Sequence, residues 1–129
     1  MQGGPRRSGA VKTLEDILHR KERRREALSR ALPRVVEQLA AMGARRVILF
    51  GSLAREEVGP ASDLDFIVVI PDSLDSRAWT RKVYAEVDRG VACDFLVYTE
   101  ADLERMLPVS RFLRRALREG KVLYEASSK

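Results

Sequence analysis

Asp63 and Asp65 stand one residue apart at the head of an apolar run, Leu64 to Ile70. In a strand, residues i and i+2 point to the same face, so the two carboxylates share one side. Next to a buried run they repel each other and lose hydration, a cost that a divalent cation removes. Mg²⁺ takes one or two carboxylates and completes its shell with phosphate oxygens and water. A solvated turn is the plainer alternative for Asp-x-Asp at a strand start. A third acid, Asp94, lies within a second apolar run, Val91 to Tyr98. An acid in such a run is not buried without a partner. That partner is one of the many arginines or, if the two strands are neighbours, the site containing Asp63 and Asp65. Three carboxylates together can hold two metal ions, which clamp the attacking and leaving oxygens of an in-line phosphoryl displacement.

Upstream, the run Arg46 to Phe50 breaks at Gly51-Ser52. Glycine lets the backbone approach a ligand closely. If a helix begins here, its free N–H groups and partial positive charge favour an anion, and the Ser52 hydroxyl adds a donor. A triphosphate suits this geometry. An ordinary turn with Ser52 as N-cap has the same sequence.

The elements that must position these residues follow from periodicity and punctuation. Residues 1–12, with Gly3, Gly4, Pro5, Ser8 and Gly9, read as a flexible tail. Thr13 N-caps a helix whose first apolar positions are Leu14, Ile17 and Leu18. A polar stretch from His19 to Glu26 follows, and apolar spacing resumes from Leu28 to Met42. Pro33 interrupts it, so the segment is either two helices meeting near Ser29, with Pro33 in a first turn, or one kinked helix. Gly43 ends it. Strands are expected at Arg46–Phe50, Leu64–Ile70 and Val91–Tyr98, with a short helix from Ser52 to about Glu57. A helix from Asp75 or Ser76 to about Arg89 carries Trp79, Val83 and Val87 toward the core and stops at Gly90. Thr99 caps a helix over Glu100–Leu107, Ser110 caps another that ends at Gly120, and Val122–Tyr124 forms a short last strand. This order predicts an α/β (α+β) domain, a small mixed sheet with helices packed on it. It fills residues 13–125, and residues 126–129 fray.

The stretch Val47-Ile48-Leu49-Phe50-Gly51-Ser52-Leu53-Ala54-Arg55, then Ser62-Asp63-Leu64-Asp65, then Asp94-Phe95-Leu96-Val97-Tyr98 resembles the DNA polymerase beta nucleotidyltransferase superfamily, and within it the minimal nucleotidyltransferases. The resemblance spans roughly residues 32–125. It implies the polymerase beta-like fold and transfer of a nucleoside monophosphate, AMP from ATP, to an acceptor hydroxyl. It also implies that Gly51 and Ser52 hold the β- and γ-phosphates, that Asp63 and Asp65 bind Mg²⁺, and that Asp94 completes the metal site and helps deprotonate the acceptor. Arg55 contacts phosphate or forms a structural ion pair. The family pattern Ala-Arg-Gly-Glu is here Ala54-Arg55-Glu56-Glu57, so Glu56 replaces a glycine that eases the turn; loop geometry is the property at stake. Minimal nucleotidyltransferases are often paired with helical HEPN proteins in toxin–antitoxin modules, which makes a HEPN-domain protein the expected partner. The alternatives are a module that keeps the fold and acts on its partner by contact alone, and a nucleic-acid-binding protein.

Composition sets the remaining bounds. The chain has 129 residues, one domain's worth. Its net charge of +5 favours an anionic partner, a nucleotide, RNA or an acidic protein face. The run Arg20 to Glu26 either grips such a partner or is a solvated helix face. His19 is the single histidine, which leaves no histidine-based zinc site. Cys93 is the single cysteine and reads as a small buried hydrophobe. Trp79 reads as packing. With no apolar signal region at the N-terminus and no apolar stretch of membrane-spanning length, the expected location is cytoplasmic.

Overall fold

The computed structural model describes residues 13–51 and 63–127. The N-terminal tail, the short helix expected after Ser52, and the residues Ser52, Arg55 and Glu56 lie outside the described residues.

Four strands, β1 (Arg46–Phe50), β2 (Leu64–Ile70), β3 (Cys93–Thr99) and β4 (Lys121–Glu125), form one sheet in the order β3-β2-β1-β4. β1 is antiparallel to both β2 and β4, whereas β2 and β3 are parallel. A parallel neighbour requires a crossover, and the helix α2 (Ser76–Glu86) supplies it. This is the α+β domain with a small mixed sheet that the residue pattern predicts.

Two helices cover each face. On one side α1 (Leu14–Ala41) sends in Leu28, Ala31, Val35 and Leu39, and α2 sends in Trp79 and Val83; they meet Leu64, Phe66, Val68 and Phe95. On the other, Leu103 of α3 (Glu100–Met106) and Leu113 and Ala116 of α4 (Arg111–Glu119) meet Ile48, Ile67 and Val69. β2 is thus buried on both faces, which explains why it reads as a nearly continuous apolar run. Phe66 and Phe95 stack across the β2–β3 pair at 5.4 Å between ring centres.

Several helix boundaries arise from local chemistry. Thr13, Asp75, Thr99 and Ser110 each accept the N–H of the residue three positions on, closing an N-terminal turn. Of the two arrangements open for the N-terminal segment, a single helix forms, with Pro33 in its interior. Pro33 and Ser29 are both exposed, so the helical hydrogen bond that Pro33 cannot donate is missing on the solvent side of the helix. Leu14, Ile17 and Leu18, at core spacing in the sequence, are exposed in this structure. Gly43, at φ 100°, takes the left-handed conformation that ends α1.

Three boundaries need correction. α2 stops at Glu86, not near Arg89. Val87 turns extended and buries its side chain, and the Gln38 side chain captures the next residue from both sides. Its amide donates to the Asp88 carbonyl at 2.7 Å, and its oxygen accepts the Asp88 N–H at 2.8 Å. β3 runs Cys93–Thr99, two residues later in starting than expected, and α3 closes at Met106. Trp79 is core, as its spacing indicates, and its indole N–H donates to the Met42 carbonyl at 3.1 Å, tying α2 to the end of α1. Among the described residues no helix is long and apolar enough to cross a membrane.

Candidate active site

Strand register decides which acids meet. β2 and β3 pair so that Asp65 lies directly opposite Asp94, and β1 and β2 pair so that Phe50 lies opposite Asp65. Paired residues on adjacent strands share a face, and so do i and i+2 on one strand. Asp63, Asp65 and Asp94 therefore belong to the face that carries Ile67 and Val69, the side of α3 and α4. They occupy the end of the sheet where β1 finishes and β2 and β3 begin. Asp63 and Asp65 are partly exposed and Asp94 is exposed. Asp94 thus meets the cost of sitting in an apolar run by facing water, while its neighbours Cys93 and Phe95 turn inward.

Gly51 ends β1 at φ 82°. A Cβ at this position would overlap the Asp65 carboxylate, whose Cγ lies 3.2 Å away. Only glycine combines that backbone conformation with this closeness. The chain thus brings its backbone turn against Asp65 itself, joining what the sequence offered as two separate motifs.

Arg24 joins them from α1. Its Nη2 lies 3.3 Å from Asp63 Oδ1, with the two side chains 26% and 42% exposed. The polar stretch of α1, one alternative for which was a solvated face, thus contributes a cation to the acids. The burial of Leu28, one turn further along, fixes the height at which Arg24 meets the sheet end. Nothing in the helical pattern marks Arg24 from its basic neighbours. His19 is exposed, as its surroundings suggest.

The electrostatics of the acids reach Cys93, adjacent to Asp94 in sequence. Its buried thiol is pushed up from about 9 to about 11, chiefly by burial. Arg89 opposes that rise, and Asp63, Asp94 and Asp65 add to it. Tyr98, on the same face as Asp94, is also raised by burial.

As the side chains stand, no three His, Cys, Asp or Glu among the described residues are grouped to hold a metal ion. The expected three-carboxylate cluster is therefore not assembled here. Asp65 and Asp94 remain as register partners on adjacent strands, each with carboxylate oxygens of the kind a hard divalent cation takes. Mg²⁺ needs no more than one or two carboxylates when phosphate oxygens and water fill the other positions. A cavity of about 170 Å³ adjoins this end of the sheet, lined by Phe50, Gly51, Phe112, Arg115, Ala116 and Glu119.

Comparison with known proteins places this arrangement. Residues 28–124 match the model of the nucleotidyltransferase domain. The chain belongs to the nucleotidyltransferase domain family. The match takes in β1 through most of β4, with Gly51, Asp63, Asp65 and Asp94 inside it. The fold resembles a solved Sulfolobus solfataricus structure provisionally assigned as a nucleotidyltransferase, with a TM-score of 0.53 and 19% identity, over 93% of this chain and 96% of that one. No curated protein matches the chain in sequence. The family's chemistry is nucleotidyl transfer.

Proposed function

We propose that this nucleotidyltransferase domain is a minimal, Mg²⁺-dependent enzyme that transfers AMP from ATP to an acceptor hydroxyl. The observation that carries the proposal is the register that sets Asp94 opposite Asp65, with Gly51 packed against the Asp65 carboxylate. Asp65 and Asp94 would hold the metal, and Asp63 would join them when Arg24 yields. The cation would supply charge neutralisation at the phosphates and polarise the α-phosphoryl group.

The chain's own residues do the rest. Gly51 lets the β1 end approach the triphosphate without a side chain intervening, and Ser52 adds its donor. Asp94, the most exposed of the three acids, accepts the proton of the acceptor hydroxyl. The oxygen so freed attacks the α-phosphorus, the bond to the β-phosphate oxygen breaks, and pyrophosphate leaves. Arg24, already at the acids, is a cation available to that departing charge.

The acceptor hydroxyl is proposed to belong to a partner macromolecule. A HEPN-domain protein is the proposed candidate, by the resemblance to minimal nucleotidyltransferases. The test is calorimetric titration of ATP into the protein with Mg²⁺, beside an Asp63→Asn, Asp65→Asn variant. Heat that requires both the metal and the carboxylates supports the proposal. If ATP fails to bind both to the chain alone and to its complex with a co-expressed HEPN protein, the enzyme proposal falls and a module acting by contact replaces it.

A further inference from the structure

α4 turns Leu113 and Ala116 into the core and carries Arg111, Arg114, Arg115 and Arg118 on its outer side. These positions are spaced i, i+3, i+4 and i+7, so they form one stripe, about 10 Å long at the helical rise per residue. With Phe112, 51% exposed, they line a surface cavity of about 640 Å³. Arg114 is fixed in place, donating from Nη1 to the carbonyls of Leu107 and Pro108 at 2.7 and 2.8 Å. Arg115 pairs with Glu119 at 3.1 Å, whereas Arg111 and Arg118 have no ion pair among the described residues.

This basic cavity adjoins the turn that ends β1. It shares Phe112 and Arg115 with the smaller cavity that reaches Phe50 and Gly51. Phe112 stands edge-on to Phe50 at 5.6 Å between ring centres, and Phe50 is the register partner of Asp65. A polyanion lying along α4 therefore passes beside the Phe50–Gly51 turn, against which Asp65 packs.

We propose that the outer face of α4 binds single-stranded nucleic acid and directs its end toward the aspartates. Guanidinium groups match phosphate with paired donors, which an acidic protein would also satisfy. The exposed phenyl ring among them selects between the two, because unpaired bases stack on aromatic faces and a carboxylate does not. A strand terminus also ends in a hydroxyl, the type of acceptor that nucleotidyl transfer needs. Only this consequence rests on the transferase proposal; the binding itself does not.

The experiment is fluorescence anisotropy of the full chain with a short labelled single-stranded RNA of mixed sequence, over a range of salt concentrations. Affinity should fall with salt. An Arg111→Gln, Arg118→Gln variant should bind about tenfold more weakly, with a log–log salt slope shallower by about 1.4, roughly 0.7 for each phosphate no longer neutralised. Phe112→Ala should weaken binding by roughly fivefold or more. An Arg20→Gln, Arg23→Gln variant on α1 should bind like the parent, and the RNA affinity should persist with neither Mg²⁺ nor ATP present, which separates this proposal from the catalytic one. Circular dichroism confirms that each variant keeps its fold. The proposal is overturned by absence of binding at low salt, by binding insensitive to the α4 substitutions, or by polyglutamate competing as well as RNA.

Discussion

Arg24 and Asp63 lie 39 residues apart in the chain, yet the guanidinium of one rests 3.3 Å from the carboxylate of the other. The contact brings the long N-terminal helix to the mouth of the proposed site. It also places a fixed positive charge where an added cation would compete.

Removing that charge should therefore separate two effects. Arg24→Ala should raise the affinity of the protein for Mn²⁺ alone several-fold, read by calorimetry. Thermal unfolding should change little, by about 0–1 kcal/mol, because the pair is partly exposed and screened. An unchanged Mn²⁺ affinity would show that Arg24 does not contest the metal position.

Gly51→Ala should be costly in both stability and binding. The left-handed backbone at φ 82° penalises any Cβ by about 1–2 kcal/mol, and the new methyl would displace the Asp65 carboxylate. Urea unfolding should register the first effect. A loss of Mg²⁺-ATP affinity of about tenfold or more should register the second. Retention of full affinity would mean that the Gly51–Asp65 approach has no part in nucleotide binding.

Asp94→Asn should behave in the opposite way to an ordinary site substitution in the metal-free protein, and Asp65→Asn is its companion. Like charges directly opposite on paired strands repel, so Asp94→Asn, at an exposed position, should melt at the same temperature as the parent or slightly above it, while Asp65→Asn also alters the interaction that Asp65 makes and should melt no higher than Asp94→Asn. Mg²⁺-ATP binding should disappear in both. A variant that loses stability along with binding would assign that aspartate a structural role instead.

Cys93 makes the alkaline limb of stability informative. Its folded thiol ionises near 11, raised from about 9, so the folded state favours the protonated form. The contribution is fully present below about pH 9, where both states hold the proton. It is lost between about 9 and 11, as the unfolded chain gains the freedom to ionise first. Denaturant titrations across that range should show the parent losing stability relative to Cys93→Ala. Parallel curves would mean that burial does not hold the proton. Alkylation of the folded protein at neutral pH should also be slow.

The sequence was most legible where local chemistry acts alone. β1 and β2 match their expected limits because short apolar runs end abruptly at Gly51 and Pro71. All four N-caps were visible as a Thr, Asp or Ser ahead of a helical pattern. The shared face of Asp63 and Asp65 follows from a two-residue period, but the placement of Asp94 opposite Asp65 required a register that no local pattern sets. The end of α2 was hidden for a similar reason. Gly90 is the visible stop signal, whereas the Gln38 side chain, 50 residues before Asp88, redirects the chain earlier. Arg24 was obscured among like charges, since periodicity cannot indicate which arginine of a solvated run meets an acid elsewhere. The α4 stripe was present in the spacing of Arg111, Arg114, Arg115 and Arg118 all along, and required only that charge be counted around the helix as hydrophobicity is.

β3 forms one border of the sheet, and a border strand with free N–H groups is a template for a further strand. The hydroxyl of Tyr84 accepts the Phe95 N–H at 2.9 Å, its ring meets Phe95 edge-on, and the Arg89 guanidinium lies over that ring. The border is thereby stoppered one residue from Asp94. A strand added at this margin would first have to displace the Tyr84 bond, which leaves the end of the sheet, where Asp94 is exposed, as the simpler approach for an acceptor hydroxyl.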